Sequence, residues 1–346
     1  MGLFSNSSDF FGLDIGTSAI RAVQMRGWKN KVLVRYGSLD IDPKISISDS
    51  NADLQKLGVA IKQLITQCGI NTTNVAVGLP SNRTFLTVVD IERLSSQELD
   101  KTIRLQADSL IPTPLAESKI DWAILGDSPK ESTKIEILLG SISNGFVEKR
   151  LDLLESIGLN VIAFEPESLA LTRSLLSTGS TDAELILDMG SSATDLIITL
   201  NDAPRLIRSI PTGTDTLIKS AMQNLGIDEK QAQQFVFKFG MSKDKLEGQI
   251  LGSISGSIEV LASEIEKSIK FFTARYAGIN LSKIIVTGGV STLPEFPLYL
   301  ANKFGVGVEI GNSWRNVSFP TSQQDDLLKI SNKFSVAAGL AERVES

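Results

Sequence analysis

Short blocks of apolar residues along this chain end in an acid and a glycine, and one such block occurs twice. Residues 13–19 read LDIGTSA, and residues 187–193 read LDMGSSA. A further apolar alternation follows each block, over residues 20–25 and 196–200. Alternation with a period of two on both sides of a short glycine-containing turn is typical of two tightly joined strands. We therefore predict a β-hairpin at each copy.

The repeat extends beyond the hairpins. Residues 75–80 and residues 284–290 both read as buried strands that end in glycine turns. The interval from the hairpin to this strand is longer in the second half, and residues 226–276 fill the difference with a helical pattern. The order of strands and helices predicts an α/β protein of two related lobes, with a helical insertion in the second.

The first half contains an insertion of its own. Residues 84–91 read as a strand, and Ser95 with Glu98 forms a capping box for the helix that follows. Two more strands are predicted over residues 122–125 and 134–141. We predict six segments. In the first half they are 1–84 as the first-lobe core, 85–150 as the inserted subdomain and 151–179 as the return of the first lobe with the connecting helix. In the second half they are 180–225 as the second-lobe core, 226–276 as the inserted helical subdomain and 277–346 as the return of the second lobe.

The hairpin turns have the residues that a phosphate site needs. A glycine lets backbone N–H groups approach an anion, and consecutive N–H groups form an anion nest. Asp14 and Asp188 stand where hydrated Mg²⁺ would lie, since that ion takes few carboxylates and keeps several waters. Asp-x-Gly is also ordinary turn chemistry. Two copies in matching contexts favour the phosphate interpretation.

Five further positions each allow two interpretations. Asp195 either holds Mg²⁺ through water or fixes its turn, and Gly213 precedes a helix that Thr214 or Asp215 would cap. Glu165, before Pro166, either orients a water at the seam of the lobes or is an acid near a helix start. The i,i+3 pair Glu264 and Lys267 borders a nucleotide or forms a surface bridge. The pair Gly288 and Gly289 admits a flat ring or forms a tight turn.

Composition excludes several classes of function. The chain has 346 residues with 34 basic and 40 acidic side chains, and its net charge of −6 argues against a nucleic-acid partner. One cysteine, Cys68, and no histidine exclude an intramolecular disulfide, multi-cysteine metal sites and Ser-His or Cys-His triads. The first six residues lack the charged region and apolar core of a secretion signal. We expect a cytoplasmic protein.

These elements, in this order, resemble the actin-like ATPase superfamily, which includes actin, sugar kinases, heat-shock chaperone ATPases and FtsA. The resemblance implies two duplicated ribonuclease-H-like lobes, bound ATP and Mg²⁺, and Glu165 as the residue that orients water. It implies nucleotide contacts from Asp14, Gly16, Thr17, Ser18, Asp188, Gly190, Ser191, Ser192, Gly213, Glu264, Lys267, Gly288 and Gly289, with Mg²⁺ held mostly through water by Asp14, Asp188 and Asp195. Gln233 and Val236 stand where FtsA-like chains often have Glu and Lys, and Ser191 where many relatives have a second glycine.

Within that superfamily the chain is similar to the PilM family of type IV pilus assembly proteins. The similarity lies in residues 94–112, 136–140, 154–159 and 165–171. It implies an FtsA-type and PilM-type insert at 85–150 and an ATP-binding scaffold with slow or no hydrolysis. The implied partner is the N-terminal cytoplasmic peptide of a PilN-like inner-membrane protein, bound between the insert and the first lobe, with the strand at residues 84–89 as its edge.

The resemblance leaves two other functions open. One is a small-molecule kinase of the sugar kinase type, and the other is a polymerising cytoskeletal ATPase of the FtsA type. Residues 337–346 do not resemble the amphipathic tail by which FtsA reaches the membrane. We therefore expect a peripheral position at the inner membrane, reached through partners, with other pilus motor proteins among the contacts.

Overall fold

Each lobe is built on one β-sheet in this computed structural model, which describes residues 9–28 and 30–344. The first-lobe sheet consists of β1 (Phe11–Ile15), β2 (Ala19–Arg26), β3 (Lys31–Asp40), β4 (Asn74–Leu79), β8 (Asn160–Pro166) and β14 (Val317–Ser318). The second-lobe sheet consists of β9 (Ala183–Met189), β10 (Thr194–Leu200), β11 (Ala203–Ile210), β12 (Leu281–Gly288) and β13 (Gly307–Ile310).

The two sheets share one topology. The strand orders are β14-β3-β2-β1-β4-β8 and β11-β10-β9-β12-β13. In each lobe three antiparallel strands precede two parallel ones. Strands β1 and β9 are almost wholly buried because helices and neighbouring elements cover both faces of the sheet. Both predicted hairpins, β1–β2 and β9–β10, and the predicted duplication are confirmed.

Helices fill the space around the sheets. They are α1 (Pro43–Ser46), α2 (Asn51–Cys68), α3 (Ser96–Leu110), α4 (Asn144–Ser156), α5 (Glu167–Leu175), α6 (Thr214–Leu225), α7 (Glu229–Phe239), α8 (Gln249–Arg275), α9 (Phe296–Phe304), α10 (Gln324–Ile330) and α11 (Ser335–Ala341). Single-turn helices occur at Leu115–Glu117, Leu246–Gly248, Gly289–Thr292, Thr321–Gln323 and Ser331–Lys333. None of the helices within the described residues is long and apolar enough to cross a bilayer.

The first-lobe insertion is a small sheet covered by α3. Its strands are β5 (Thr84–Glu92), β6 (Ser118–Asp127) and β7 (Lys134–Ser143), in the order β5-β7-β6. The predicted capping box between Ser95 and Glu98 is present at the start of α3. The insertion ends at β7, earlier than the predicted residue 150, because Phe146 and Val147 of α4 pack against Leu79 of the lobe core.

The end of the chain returns to the first lobe, whereas the sequence assigned all of residues 277–346 to the second. Strand β14 pairs with β3, and α11 packs against β1 and β2. Trp314 and Phe334 share a core cluster with Val23 of β2. This return was not visible in the local pattern because it depends on pairing across most of the chain.

Helices α5 and α11 cross between the two sheets. Gly339 of α11 lies against α5 so closely that an added Cβ would stand 1.9 Å from the carbonyl oxygen of Ala170. Arg173 of α5 donates to the Gly339 carbonyl at 2.6 Å, and Ser174 donates to the Ser335 carbonyl at 2.7 Å. Apolar residues of both helices share one cluster with Ile186 and other residues of the second sheet. The crossing therefore joins the lobes.

A buried carboxylate fixes the insertion to the second lobe. Glu136 of β7 is 1% exposed and accepts hydrogen bonds from Arg275 at 2.7 Å and from Tyr276 at 2.7 Å. Arg205 of β11 lies 3.7 Å from the same carboxylate, and Asp90 of β5 pairs with Arg275 at 3.0 Å. Burial raises the pKa of Tyr276, and its hydrogen bond to Glu136 adds to the effect. Burial lowers the pKa of Arg275, but its hydrogen bonds and charged neighbours outweigh that and raise it. We call Glu136, Asp90, Arg205, Arg275 and Tyr276 the insert latch.

Replacing Gly339 with alanine tests the helix crossing. We expect Gly339→Ala to lower the free energy of unfolding by about 1–3 kcal/mol or more, because the new methyl group has no space against Ala170. The matched control is Gly252→Ala in α8, where an added Cβ meets nothing within 4 Å. That change should raise stability by up to about 1 kcal/mol, as for alanine in a helix interior. Urea denaturation measures both, and equal stabilities would refute the close crossing.

Candidate functional site

The turns of the two hairpins face each other. The N–H of Gly16 donates to the Ala19 carbonyl at 3.1 Å, and the N–H of Gly190 donates to the Ala193 carbonyl at 2.9 Å. Across the seam, the hydroxyl of Ser191 donates to the hydroxyl of Ser18 at 3.0 Å. The duplicated sequence thus forms two equivalent turns, one from each lobe, on opposite sides of one cleft.

Two glycines let other segments close against the second hairpin. A Cβ on Gly213 would lie 2.4 Å from the Ser191 carbonyl oxygen, and a Cβ on Gly288 would lie 2.5 Å from Asp188 Oδ1. Gly288 also has a φ of +80°, which side chains with a Cβ rarely adopt. Gly213 therefore packs against the second hairpin turn and does not line the cleft, whereas Gly288 lies against Asp188 and lines it.

Helix α6 begins at the second hairpin. Its N-terminal cap is Gly213, not Thr214 or Asp215 as predicted. The N–H of Thr214 donates to the Gly190 carbonyl at 3.1 Å, and the N–H of Asp215 donates to the Ser191 carbonyl at 2.9 Å. These backbone bonds satisfy the first donors of the helix, so a side-chain cap is not needed.

The cleft between the lobes encloses a cavity of about 660 Å³, a size that suits a small ligand or cofactor. Both hairpins line it, including Asp14, Gly16, Thr17, Ser18, Asp188, Gly190, Ser191, Ser192 and Asp195. Gly288 and Gly289 line it from the second lobe. The cavity continues along the first lobe to Arg83 and Arg150.

Four carboxylates gather at the centre of this cleft: Asp14, Glu167, Asp188 and Asp195. Burial raises the pKa of Asp188 to about 7, and the charges of Asp195 and Asp14 add to the effect. Burial and the charges of the three aspartates raise the pKa of Glu167 well above its ordinary value. Burial likewise raises the pKa values of Asp14 and Asp195. The fold thus concentrates acids that repel one another.

Few cations within the described residues balance this charge. Arg21 lies 3.3 Å from Asp14 Oδ2, and the buried Oδ1 of Asp195 has no hydrogen-bond partner. No three acids, cysteines or histidines in the described ranges lie close enough to hold one metal ion together. The arrangement therefore suits a hydrated cation that bridges the acids through its waters, as Mg²⁺ does.

The structure contradicts the prediction that Glu165 orients a water in the cleft. Its side chain is 2% exposed and lies away from the cleft, where it pairs with Arg173 at 2.7 Å and with Arg343. Glu167, after Pro166, lines the cleft. Strand β8 ends at Pro166 and Glu167 begins helix α5, so the alternation that would put residues 165 and 167 on one face of a strand stops between them.

Glu264 and Lys267 do not line the cleft either. Glu264 of α8 pairs with Lys267 at 2.6 Å and with Arg208 of β11 at 2.9 Å, on the outer face of the second lobe. Their i,i+3 bridge is the surface pair that the sequence left open as an alternative. Helix α7 borders the cleft where α8 does not, because Glu229, Gln233 and Phe237 line it.

Several cleft residues were not predicted. They include Arg21, Ser81, Arg83, Arg150, Glu167, Glu229, Phe237, Asn332 and Lys333. Glu229, Gln233 and Phe237 repeat at intervals of four, so helical periodicity could have placed them on one face. Arg21 stands opposite Asp14 in the predicted first hairpin, so strand pairing there could have found it. Most of the others come from segments that meet only in the folded chain. Val236, the other departure noted from FtsA-like chains, is buried in the core of the second lobe.

The family of this chain follows from its sequence as a whole. The family model described as type IV pilus assembly protein PilM matches residues 12–345. The chain belongs to the PilM family. Its predicted membership of that family is thereby confirmed.

Solved structures share the fold of this PilM-family chain. The PilM–PilN type IV pilus biogenesis complex matches with a TM-score of 0.84 and 23% identity, over 98% of this chain and 99% of that one. The ethanolamine utilization protein EutJ from Carboxydothermus hydrogenoformans has a TM-score of 0.57 and 14% identity, over 96% and 88%. MreB5 of Spiroplasma citri bound to AMPPNP has a TM-score of 0.54 and 13% identity, over 96% and 95%. The fold is therefore the two-lobe actin-like fold.

The acid cluster predicts how stability depends on pH. Between the ordinary pKa of 3.8 and about 7, the folded chain holds a proton on Asp188 that the unfolded chain has lost. The free energy of unfolding of the ligand-free protein therefore falls as pH rises through this window. Asp188→Asn should remove this part of the fall and raise the melting temperature above about pH 7.

Scanning calorimetry across the window measures this change. The control is Asp152→Asn, which removes an exposed acid of α4 outside the cleft. It should leave the pH dependence unchanged. An unchanged dependence in Asp188→Asn as well would contradict the electrostatic account of the cleft.

Proposed function

We propose that this chain is an ATP-binding scaffold of type IV pilus assembly, in which a nucleotide with Mg²⁺ lies between the two hairpins. The observation that carries the proposal is the cluster of four acids with raised pKa values between two glycine turns. Such a cluster costs stability unless a cation neutralises it. The nearby backbone N–H groups suit the phosphates that would arrive with that cation.

The cleft residues fit the parts of the ligand. Asp14, Asp188 and Asp195 would hold the ion, mostly through its waters. The two glycine turns would face the phosphates, while Gly288 and Phe237 border the part of the cleft suited to the nucleoside. When bound, Mg²⁺ neutralises charge on both the acids and the phosphates. The MreB5 neighbour was solved with AMPPNP, and we extend nucleotide binding to this chain because of its own cleft residues.

Glu167 is the acid that we propose for orienting a water. It lies in the cleft beside the three aspartates. Burial and the charges of those aspartates raise its pKa, so in the ligand-free protein a smaller share of it is the carboxylate that can accept a proton than for an ordinary glutamate. We therefore expect any hydrolysis to be slow, below the usual enzyme range of about 1–1,000 per second.

Two substitutions test Mg²⁺-dependent ATP binding. Asp14→Asn and Asp188→Asn should weaken binding of MgATP by about tenfold or more, because each removes a charge that faces the ion. Glu264→Gln, on the outer face of the second lobe, should bind as wild type does. Calorimetric titration with and without Mg²⁺ measures the affinity, and equal affinities in all four proteins would refute this site.

A substitution of Glu167 separates nucleotide binding from turnover, with Glu264→Gln again as the control. Glu167→Gln should retain MgATP binding and lose phosphate release. Glu264→Gln should keep both. Equal phosphate release from Glu167→Gln and wild type would remove Glu167 from the proposal while leaving ATP binding intact.

The proposed partner is the N-terminal cytoplasmic peptide of a PilN-like membrane protein. The neighbour with the highest TM-score among those given above is a PilM–PilN complex. In this chain β5 stands at an edge of the insert sheet, and most of its residues are partly exposed. An edge strand offers backbone groups to an extended peptide, and side-chain pockets add specificity. The net charge of −6 suits a basic peptide near the membrane.

The insert latch supplies a connection between nucleotide and partner. Arg205 and Arg275 belong to the second lobe, and Glu136 belongs to the insertion. A change in the angle between the lobes would therefore act on the insertion and on its β5 edge. We propose that nucleotide binding shapes the peptide groove through this contact.

Family membership favours the scaffold over the other two functions. The matching model describes a pilus assembly protein and extends over residues 12–345. A sugar kinase and an FtsA-like filament protein are therefore not favoured. We propose a cytoplasmic location, with attachment to the inner membrane through the partner.

A charge on the β5 edge should prevent partner binding. Val88→Glu places an acid in the middle of β5, the proposed peptide edge, and should weaken binding of a PilN-type N-terminal peptide by about tenfold. The matched control is Ile124→Glu on β6, at the opposite edge of the same sheet, where the side chain is 56% exposed. It should leave the affinity unchanged.

Fluorescence anisotropy with a labelled peptide measures both variants, and MgATP titration verifies that each is folded. If Ile124→Glu prevents binding and Val88→Glu does not, the peptide uses the β6 edge and the proposed groove is wrong.

A further inference from the structure

The cleft continues beyond the hairpins into a compartment of the first lobe. Its walls are α1, the turn between β4 and β5, and the start of α4. Arg83 comes from the turn, and Phe146 and Arg150 come from α4. These three residues form what we call the arginine compartment.

Arg150 is buried with an incomplete set of partners. It is 7% exposed, and its Nη2 donates to the Ser46 carbonyl at 3.0 Å. Its buried Nη1 has no hydrogen-bond partner. Burial lowers the pKa of the guanidinium, the charge of Asp49 opposes this, and the charge of Arg83 lowers the pKa by a smaller amount. A buried cation with an unused donor costs free energy unless an anion or acceptor satisfies it.

Arg83 increases the positive charge at the same place. The guanidiniums of Arg83 and Arg150 lie 5.6 Å and 5.4 Å from the centre of the Phe146 ring. Cations at such distances are attracted to the ring, which holds both groups near each other despite their like charge. Asp49 approaches Arg83 Nη2 only at 3.8 Å and is itself partly exposed.

The arginine compartment adjoins the first hairpin. The hydroxyl of Ser46, whose carbonyl accepts from Arg150, donates to the Thr17 carbonyl at 2.6 Å. One residue therefore links the guanidinium to the turn proposed to hold nucleotide phosphates. The hairpin turns and the two arginines line one continuous cavity.

We propose that Arg83 and Arg150 form an oxyanion subsite that binds inorganic phosphate beside the nucleotide. Guanidinium groups recognise the oxygens of phosphate through paired N–H donors. The phosphate comes either from solution or from the nucleotide. Only the second source rests on the proposed function.

Equilibrium dialysis with labelled phosphate tests the subsite in the full chain saturated with MgADP. Arg83→Gln and Arg150→Gln should each weaken phosphate binding by about tenfold, with ADP affinity unchanged. The control Lys149→Gln removes one positive charge from the exposed face of the same helix and should bind phosphate as wild type does. Thermal melting verifies the fold, and the partly exposed Arg83 decides the result if the Arg150 variant does not fold.

Unchanged phosphate binding in a folded Arg83→Gln protein would overturn the subsite, as would complete displacement of phosphate by MgADP. If ADP does not bind but phosphate binding still depends on Arg83, the proposed function fails and the subsite stands.

A fluorescent phosphate sensor distinguishes phosphate from solution from phosphate released by the nucleotide. Faster release from ATP in Arg83→Gln than in wild type supports nucleotide-derived phosphate, and equal rates exclude it.

Discussion

The close crossing of α5 and α11 at Gly339 is the contact on which the arrangement of the lobes depends. No side chain fits between Gly339 and Ala170, so the helices approach by their backbones and place the two sheets on either side. That placement brings the hairpin turns to within one hydrogen bond of each other at Ser18 and Ser191. The cleft and its acids are a consequence of this geometry.

The cleft combines acids that would not remain together in water. Burial and mutual repulsion raise the pKa of Asp188 to about 7 and raise those of Asp14, Asp195 and Glu167 as well. A cation that binds among these acids is favoured, because it relieves their mutual repulsion. The insert latch connects the second lobe to the sheet of the insertion, whose β5 edge is the proposed partner site.

The features that could be predicted from the sequence are those that depend on residues close together in the chain. Period-two alternation and Asp-Gly turns located both hairpins, and the Ser95–Glu98 capping box located α3, because each depends on neighbours in the chain. Glu165 was chosen in place of Glu167 because the acid that faces the cleft is decided by the point at which β8 gives way to α5, and the local pattern did not fix that point. The return of α11 to the first lobe and the arginine compartment depend on contacts between distant segments, which a single sequence does not show.

A crystal structure of the protein soaked with AMPPNP and Mn²⁺ tests the central claim most directly, because Mn²⁺ replaces Mg²⁺ and scatters anomalously. The account predicts one anomalous peak between the hairpins, within water-mediated reach of Asp14 and Asp188, with the phosphates against the two glycine turns. An anomalous peak elsewhere, or a nucleotide bound outside this cleft, would contradict it.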